Sequence, residues 1–146
     1  MTGANGQPEA AAQLLTGRVL VVDDDAAIRR LYGRWLAALG FHMVEAEGGT
    51  LAVDLYATDA EGFDLVILDM IMPDVSGFHT FELLRQADPD VKVLLCSGYK
   101  VDRQAAIILE AGAVGFLQKP FTRDSLLRAL QRVLRPQAAQ PDPSGA

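Results

Sequence analysis

Apolar residues occur along the chain either in short continuous runs or at helical spacing. Two of the runs, at 66–68 and 93–96, contain no polar residue at all. Continuous apolar runs of this length are typical of strands that are covered on both faces of a parallel sheet. The predicted strands cover residues 18–22, 41–46, 64–68, 91–96 and 113–117.

The segments between these runs place apolar residues three and four positions apart, which predicts amphipathic helices. The first, over residues 28–39, has an apolar stripe that includes Trp35, with Arg29 outside it, and we expect Gly40 to end it. The other helices are predicted at 49–60, 77–87, 101–111 and 122–135. Strands and helices in alternation indicate an α/β fold, a doubly wound five-stranded parallel sheet with five helices.

The two ends of the chain differ from this pattern. Residues 1–16 are rich in Ala, Gly and Gln, and we expect a flexible N-terminal arm there. Residues 136–146 contain several prolines that cannot continue a helix, and we expect a flexible tail or linker. The predicted domain therefore covers residues 17–135.

Composition narrows the classes of protein. The chain has 146 residues, half of them hydrophobic, with a net charge of −6, which suits one globular domain and argues against direct nucleic-acid binding. No run reaches the roughly 18 apolar residues of a membrane span, and the N-terminus lacks the basic start and long apolar centre that are typical of a signal peptide. The single cysteine, Cys96, lies in an apolar run and is expected to be buried and inert. We expect a cytoplasmic protein without membrane contact.

Four of the predicted strands are followed by isolated polar residues. Asp23 and Asp24 follow the first strand, Asp69 the third, Ser97 the fourth, and Lys119 the fifth. The carboxyl ends of parallel strands lie at one edge of a sheet, where open α/β folds bind ligands. We therefore expect these side chains to converge on one site.

The residue types at this edge suggest phosphoryl chemistry. Adjacent carboxylates are costly to desolvate without a cation, and although Asp25 is expected to cap a helix, Asp23 and Asp24 suit Mg²⁺, with Mn²⁺ as an alternative. The carboxylate of Asp69 could attack a phosphoryl group, whose oxygens the ammonium of Lys119 would neutralise. The histidines, His42 and His79, fall outside these strand ends and are expected to be structural or solvated.

In these features the chain resembles the receiver domain of bacterial two-component response regulators, from about residue 18 to residue 135. The motifs occur in the order Val-Val-Asp-Asp, Leu-Asp-Met-Ile-Met-Pro-Asp-Val-Ser-Gly, Cys-Ser-Gly-Tyr and Phe-Leu-Gln-Lys-Pro-Phe. The resemblance implies a flavodoxin-like fold and phosphorylation of Asp69 by a histidine kinase or phosphotransfer protein. It also implies that Mg²⁺ is held by Asp23, Asp24, Asp69 and the backbone carbonyl of Ile71, with Asp23 acting through water.

The resemblance also assigns roles after phosphorylation. Lys119 would pair with the phosphoryl oxygens, and the hydroxyl of Ser97 would move toward them while the ring of Phe116 follows inward. Ser97 stands where Thr is commoner and Phe116 where Tyr is commoner. Ile71 and Tyr99 occupy the positions that tune the lifetime of the phosphate, and their apolar and aromatic side chains suggest slow self-dephosphorylation.

A partner surface is implied in the same way. The fourth helix, fifth strand and fifth helix would bind an output partner, and a homodimer linked to phosphorylation is a further expectation. Since three consecutive apolar residues of a helix cannot all face one core, one of residues 107–109 is expected on this surface. The chain would be no enzyme beyond its own phosphoryl transfer and dephosphorylation.

Three other readings are disfavoured. A pseudo-receiver that only binds partners would not need the complete set of Asp, Ser and Lys residues. A stand-alone phosphatase or phosphotransferase with an aspartyl nucleophile often has a second acid two residues later, where this chain has Ile71. Dinucleotide binding requires a Gly-rich turn after the first strand, which instead leads into Asp23. A single-domain regulator, a phosphorelay intermediate and a receiver from a larger protein all stay open.

Overall fold

The computed structural model describes residues 16–98 and 103–134. Within these ranges five parallel strands form one sheet with the order β2-β1-β3-β4-β5, and five helices connect or follow them. The prediction of a doubly wound five-stranded parallel sheet is confirmed. The elements are β1 (Gly17–Val22), α1 (Ala26–Ala38), β2 (Phe41–Ala46), α2 (Gly49–Thr58), β3 (Leu65–Asp69), α3 (Gly77–Ala87), β4 (Val93–Ser97), α4 (Arg103–Ala111), β5 (Gly115–Gln118) and α5 (Arg123–Val133).

Several predicted boundaries were wrong by one or two residues. The third strand includes Asp69, and the fourth begins at Val93 because the N–H of Val91 instead closes a turn onto Asp88. Helix α2 ends before Asp59, whose carboxylate accepts hydrogen bonds from the N–H groups that follow it. The predicted arm, except Thr16, and the predicted tail lie outside the described residues, as do the start of the fourth predicted helix and the last residue of the fifth.

Side chains just before three of the helices explain where those helices begin. Asp25 accepts hydrogen bonds from the N–H groups of Ala27 at 2.9 Å and Ile28 at 3.3 Å, so its predicted role as a helix cap is confirmed. Ser76 and Thr122 cap α3 and α5 in the same way. Gly40 has a φ of 98°, a conformation that favours glycine and ends α1 as predicted.

The core consists of two apolar clusters, one on each face of the sheet. Alternate strand residues such as Leu68 and Leu95 pack with α2, α3 and α4, whereas Ile67 and Cys96 pack with α1 and α5. Every residue of β3 and β4 is buried, which explains why these strands show no polar alternation. Cys96 is buried as predicted, and burial raises the pKa of its thiol, while Trp35 packs against the second cluster.

The two ends of the sheet carry different side chains. At the amino end, Arg18 forms a hydrogen-bonded ion pair with Asp59, at 2.8 Å, and its guanidinium lies over the ring of Phe63. This group fixes the start of β1 to the loop between α2 and β3. The carboxyl end carries the candidate site described below.

None of the helices within residues 16–98 and 103–134 has both the length and the apolar composition that a membrane span requires.

Neighbouring residues of α4 provide a test of this packing. Ile108 is fully buried, whereas Ile107 is 46% exposed and is the residue of the 107–109 triplet that lies on the surface. We expect Ile108→Ala to lower the free energy of unfolding by about 2–5 kcal/mol, because it removes packed methyl groups and leaves a cavity. The matched change Ile107→Ala should cost about 1 kcal/mol or less. Urea denaturation measures both, and equal losses would contradict the described orientation of α4.

Candidate functional site

The backbone brings four of the predicted site residues to the carboxyl edge of the sheet. Hydrogen bonds continue just past the strands, from the N–H of Asp23 to Ala46 at 3.1 Å and from the N–H of Lys119 to Ser97 at 2.7 Å. The side chains of Asp23, Asp69 and Ser97 are held in an environment that is almost closed to solvent, with exposures of 2%, 7% and 6%. The predicted convergence of these strand ends is observed.

Three carboxylates form the acidic part of the site. Asp23, Asp24 and Asp69 each offer an oxygen, and these oxygens lie within 4.8 Å of one another. Asp24 is exposed, whereas Asp23 is occupied on both oxygens, by the N–H of Asp25 at 2.9 Å and by the ammonium of Lys119 at 2.7 Å. An oxygen-only donor set with one accessible carboxylate suits a hard divalent cation that keeps part of its water shell.

Lys119 is the cation that the acidic residues share. Its ammonium lies 2.7 Å from the nearer oxygen of Asp23 and 3.4 Å from that of Asp69. Burial works to lower the pKa of Lys119, but the hydrogen bond to Asp23 and the charges of both carboxylates raise it above its usual value. The ammonium is therefore charged at neutral pH, and two buried carboxylates share it.

The loop after Lys119 is fixed to α1 by aromatic contacts. The ring of Phe121 stacks on that of Tyr32 at a centroid distance of 5.0 Å, and Tyr32 stacks in turn on Trp35 at 5.8 Å. Offset aromatic pairs at such distances add to the stability that burial alone provides. The position of the ammonium therefore depends on packing against α1 as well as on β5.

The pKa of Asp69 departs clearly from its usual value. Burial raises the pKa of its carboxyl to about 6, and the charge of Asp23 acts in the same direction. The charge and hydrogen bond of Lys119 and the N–H of Ile71 oppose this rise. A carboxylate held in this way is poorly neutralised by the protein itself, which favours a cation or an electrophile beside it.

The loop over residues 70–76 forms one wall of the site. Ile71 is 58% exposed. The loop turns back tightly, because the N–H of Gly77 donates to the carbonyl of Met70 at 3.0 Å, and a Cβ on Gly77 would lie 2.5 Å from the Cα of Met70. The turn holds the backbone of Ile71 directly beyond Asp69.

The two residues expected to switch lie on adjacent strands. Ser97 ends β4, and Phe116 lies in β5, where it is paired in register with Leu95. Because side chains alternate along a strand, Ser97 and Leu95 project from the same face, and Phe116 packs half-buried on that face. Tyr99, the second residue expected to tune phosphate lifetime, lies outside the described residues.

Sequence reasoning missed one residue near the site. Arg29 was expected to lie outside the apolar stripe of the first helix, yet its side chain is only 14% exposed. Its guanidinium donates to the carbonyl of Asp23 at 2.7 Å and to the carboxylate of Glu45 at 2.6 Å. It thus joins α1, β2 and the backbone of Asp23. Helical periodicity carries no signal for such a contact. The histidines, His42 and His79, are exposed.

Comparison with known proteins identifies the class. The family described as "Response regulator receiver domain" matches residues 19–131, and the chain belongs to this family. The chain is 34% identical to the chemotaxis protein CheY of Bacillus subtilis (strain 168) over 118 residues, which cover 80% of this chain and 97% of that protein. It is a phosphorylatable signalling domain of two-component systems.

Two further relatives bear on its context. The response regulator MprA of Mycolicibacterium vanbaalenii is 36% identical over 118 residues, 81% of this chain and 50% of MprA, so the chain spans half of that relative. The CheX-CheY-BeF3-Mg²⁺ complex of Borrelia burgdorferi contains a similar structure, with a TM-score of 0.76 and 26% identity, covering 82% of this chain and 90% of that one. Receiver domains as a class interact with histidine kinases and output partners and are signalling domains.

The acidity of Asp69 gives a pH-dependent prediction for the metal-free chain. Its pKa is about 6 when folded and 3.8 ordinarily, so the folded state binds this proton more tightly. The ionised group therefore destabilises the fold at neutral pH, and this effect disappears as the pH falls through about 6 toward 4. We expect Asp69→Asn to raise the free energy of unfolding by about 1–3 kcal/mol near pH 7.5, and less near pH 5.

Urea denaturation in EDTA at the two pH values measures this difference. Asp54→Asn is the matched control, because Asp54 is exposed and its change should alter stability little at either pH. A loss of stability in Asp69→Asn at neutral pH, or a gain that does not change with pH, would contradict the raised pKa of the buried Asp69 carboxyl.

Proposed function

We propose that Asp69 is the phosphoryl acceptor of this receiver domain and that a histidine kinase or a phosphotransfer protein is the donor. The observation that carries the proposal is the grouping of Asp23, Asp24 and Asp69 within 4.8 Å, with the ammonium of Lys119 at 3.4 Å from Asp69. Buried acids and a shared cation are what transfer to a carboxylate requires, since the reaction depends on positioning and charge neutralisation.

The chemistry follows from the protein groups. A carboxylate oxygen of Asp69 bonds to phosphorus as the bond from phosphorus to the imidazole nitrogen of the donor breaks, and the electron pair leaves with the imidazole. Lys119 is charged and close enough to bind a phosphoryl oxygen once Asp69 carries the group. The burial of Asp69 excludes most water from the acceptor before transfer.

Mg²⁺ is the cofactor that we propose, with Mn²⁺ as an alternative. Asp24 and Asp69 would bind it directly, Asp23 through water, and the backbone carbonyl of Ile71 would complete the protein ligands. The observed occupation of both Asp23 oxygens by Asp25 and Lys119 supports its indirect role. When bound, the ion supplies positive charge to the oxygens of the phosphoryl group.

Phosphorylation would be transmitted through Ser97 and Phe116. A phosphoryl group adds negative charge and acceptor oxygens, and Ser97 supplies a hydroxyl one residue beyond Cys96, the register partner of Asp69 on the neighbouring strand. Movement of Ser97 would leave space on the face where Phe116 packs. The half-buried state of this ring supports a side chain that can turn further inward.

The surface formed by α4, β5 and α5 is the proposed binding site for an output partner, and a phosphorylation-linked homodimer would use the same surface. The exposed side chain of Ile107 supports an apolar contact there. We further propose that the domain acts in the cytoplasm and catalyses only its own phosphoryl transfer and slow self-dephosphorylation.

A stable phosphate mimic tests the acceptor assignment. With Mg²⁺ and beryllofluoride, the chain should bind one mimic per molecule, measured by native mass spectrometry, and acetyl phosphate should add one phosphoryl group. Asp69→Asn should abolish both, because the amide cannot form the bond, whereas Asp54→Asn should bind as the wild type does. Uptake of one equivalent by Asp69→Asn would assign the acceptor to another residue.

The lifetime of the phosphate tests Ile71 and Tyr99. We expect the exposed apolar side chain of Ile71 to hinder a water molecule in line with the phosphoryl group, and Tyr99 to act with it. Changing both to small polar residues, as in Ile71→Asn with Tyr99→Ser, should shorten the half-life of phosphorylated Asp69 roughly tenfold or more. Loss of ³²P from the purified protein measures it. A half-life that changes less than about twofold would show that these side chains do not protect the phosphate.

A further inference from the structure

The amino end of α2 is joined to the loop over residues 70–76 by one carboxylate. The two oxygens of Asp74 accept hydrogen bonds from the N–H groups of Gly49 and Thr50, each at 3.3 Å. The first N–H groups of a helix have no partner within the helix, and a capping side chain usually satisfies them. Gly48, in the capping position, has no side chain to do so. Asp74 supplies this cap from a different loop.

The glycines before and within α2 allow this close approach. A Cβ on Gly48 would lie 2.6 Å from an oxygen of Asp74, and a Cβ on Gly49 would collide with the hydroxyl of Thr80. Thr80 is itself buried in α3, where its hydroxyl donates to the carbonyl of Ser76 at 2.8 Å. The loop is therefore held between two helices, and larger residues at these positions would separate them.

Asp74 carries negative charge in this position. Its pKa is lowered chiefly by a hydrogen bond from the N–H of Val75; burial opposes this effect, and the N–H groups of Thr50 and Gly49 lower the pKa further. An anion at the amino end of a helix is also favoured by the helix dipole. The contact thus joins an ionised carboxylate to the amino end of α2.

The anchored loop contains Ile71, whose backbone carbonyl is a proposed metal ligand. Its first residue, Met70, is fixed to β4 by a hydrogen bond from its N–H to Cys96 at 2.9 Å, and its last turn is closed by the bond of Gly77 to Met70. Ile71 lies between these fixed ends, three residues before Asp74. The bonds of Asp74 to α2 hold the outer part of the loop together with the side chain of Met72, which is buried in the first core cluster.

We infer that Asp74 is a positioning residue for cation binding, because its bonds to the amino end of α2 hold the loop that presents the carbonyl of Ile71. The inference rests on the proposed function, in which this carbonyl is a ligand. Outer groups that orient metal ligands commonly change metal affinity by roughly 10–100-fold when they are removed. Asp74 itself binds no metal in this scheme.

Three variants separate positioning from simple stabilisation. Asp74→Ala removes the anchor, Asp74→Asn keeps an oxygen acceptor without charge, and Asp54→Asn removes a charge from the same groove at an exposed residue that does not bond the end of α2. We expect the Mg²⁺ dissociation constant, measured by calorimetry on the folded chain, to rise roughly tenfold in Asp74→Ala. The rise should be smaller in Asp74→Asn, and Asp54→Asn should stay within about twofold of the wild type.

A readout without metal accompanies this titration. In the metal-free chain, Asp74→Ala should speed hydrogen exchange of the Gly49 and Thr50 amides and shift the amide resonance of Ile71 in NMR spectra. Gly48→Ala serves as a second variant, since its methyl group would press on Asp74 while leaving the charge in place. It should weaken Mg²⁺ binding in the same direction.

The outcomes are distinct. Wild-type Mg²⁺ affinity in Asp74→Ala, together with faster exchange at Gly49 and Thr50, would make Asp74 a helix cap only and overturn the inference. An equal loss of Mg²⁺ affinity in Asp54→Asn would also overturn the inference, because the loss would then come from removing any negative charge in this groove. If the wild-type chain binds no Mg²⁺, both the proposed metal site and this inference are wrong. If Mg²⁺ binding is lost in Asp24→Asn but unchanged in Asp74→Ala, the inference is wrong and the proposed function stands.

Discussion

Two carboxylates, those of Asp23 and Asp69, are buried within reach of one ammonium group, that of Lys119. Burying charge is costly unless it is paired, and here the pairing is incomplete, as the raised pKa of Asp69 reports. The negative charge that Lys119 leaves uncompensated favours binding of the proposed cation and, with it, the phosphoryl chemistry. Because burying these charges is unfavourable, the surrounding structure must supply the packing that holds the ends of β1, β3 and β5 and the loops after them.

The sheet meets this demand because its centre is apolar on both faces. Strands β1, β3 and β4 contribute the buried rows that pack between helices on either side. Only their carboxyl ends carry acids or hydroxyls, so these groups are confined to one edge of the sheet. Contacts beyond the strands then fix each group: Arg29 holds the carbonyl of Asp23, and the stack of Phe121 on Tyr32 holds the loop of Lys119.

The fold and the site could be predicted from different signals. Continuous apolar runs identified the strands because both faces of the sheet are covered, and the polar residues that end those runs identified Asp23, Asp69, Ser97 and Lys119. Boundaries were less predictable, since the start of β4 depends on a turn between Val91 and Asp88. Contacts such as that of Arg29 could not be predicted, because a helical stripe records which face is apolar and not which distant carbonyl a long side chain reaches.

The same reasoning explains why stability and function oppose each other at this site. A carboxylate at position 69 that is easy to bury would be protonated or fully paired, and in either state it would be a poor nucleophile. The chain instead keeps this carboxylate ionised and only partly paired with positive charge, which lowers the stability of the metal-free fold. Binding of a cation or a phosphoryl mimic recovers this stability, since ligands stabilise the state to which they bind. Loop 70–76 borders this unsatisfied charge. Its anchorage to α2 through Asp74 therefore matters more than a helix cap elsewhere, because a loop free to relax would let water solvate the carboxylate and reduce the driving force for cation binding.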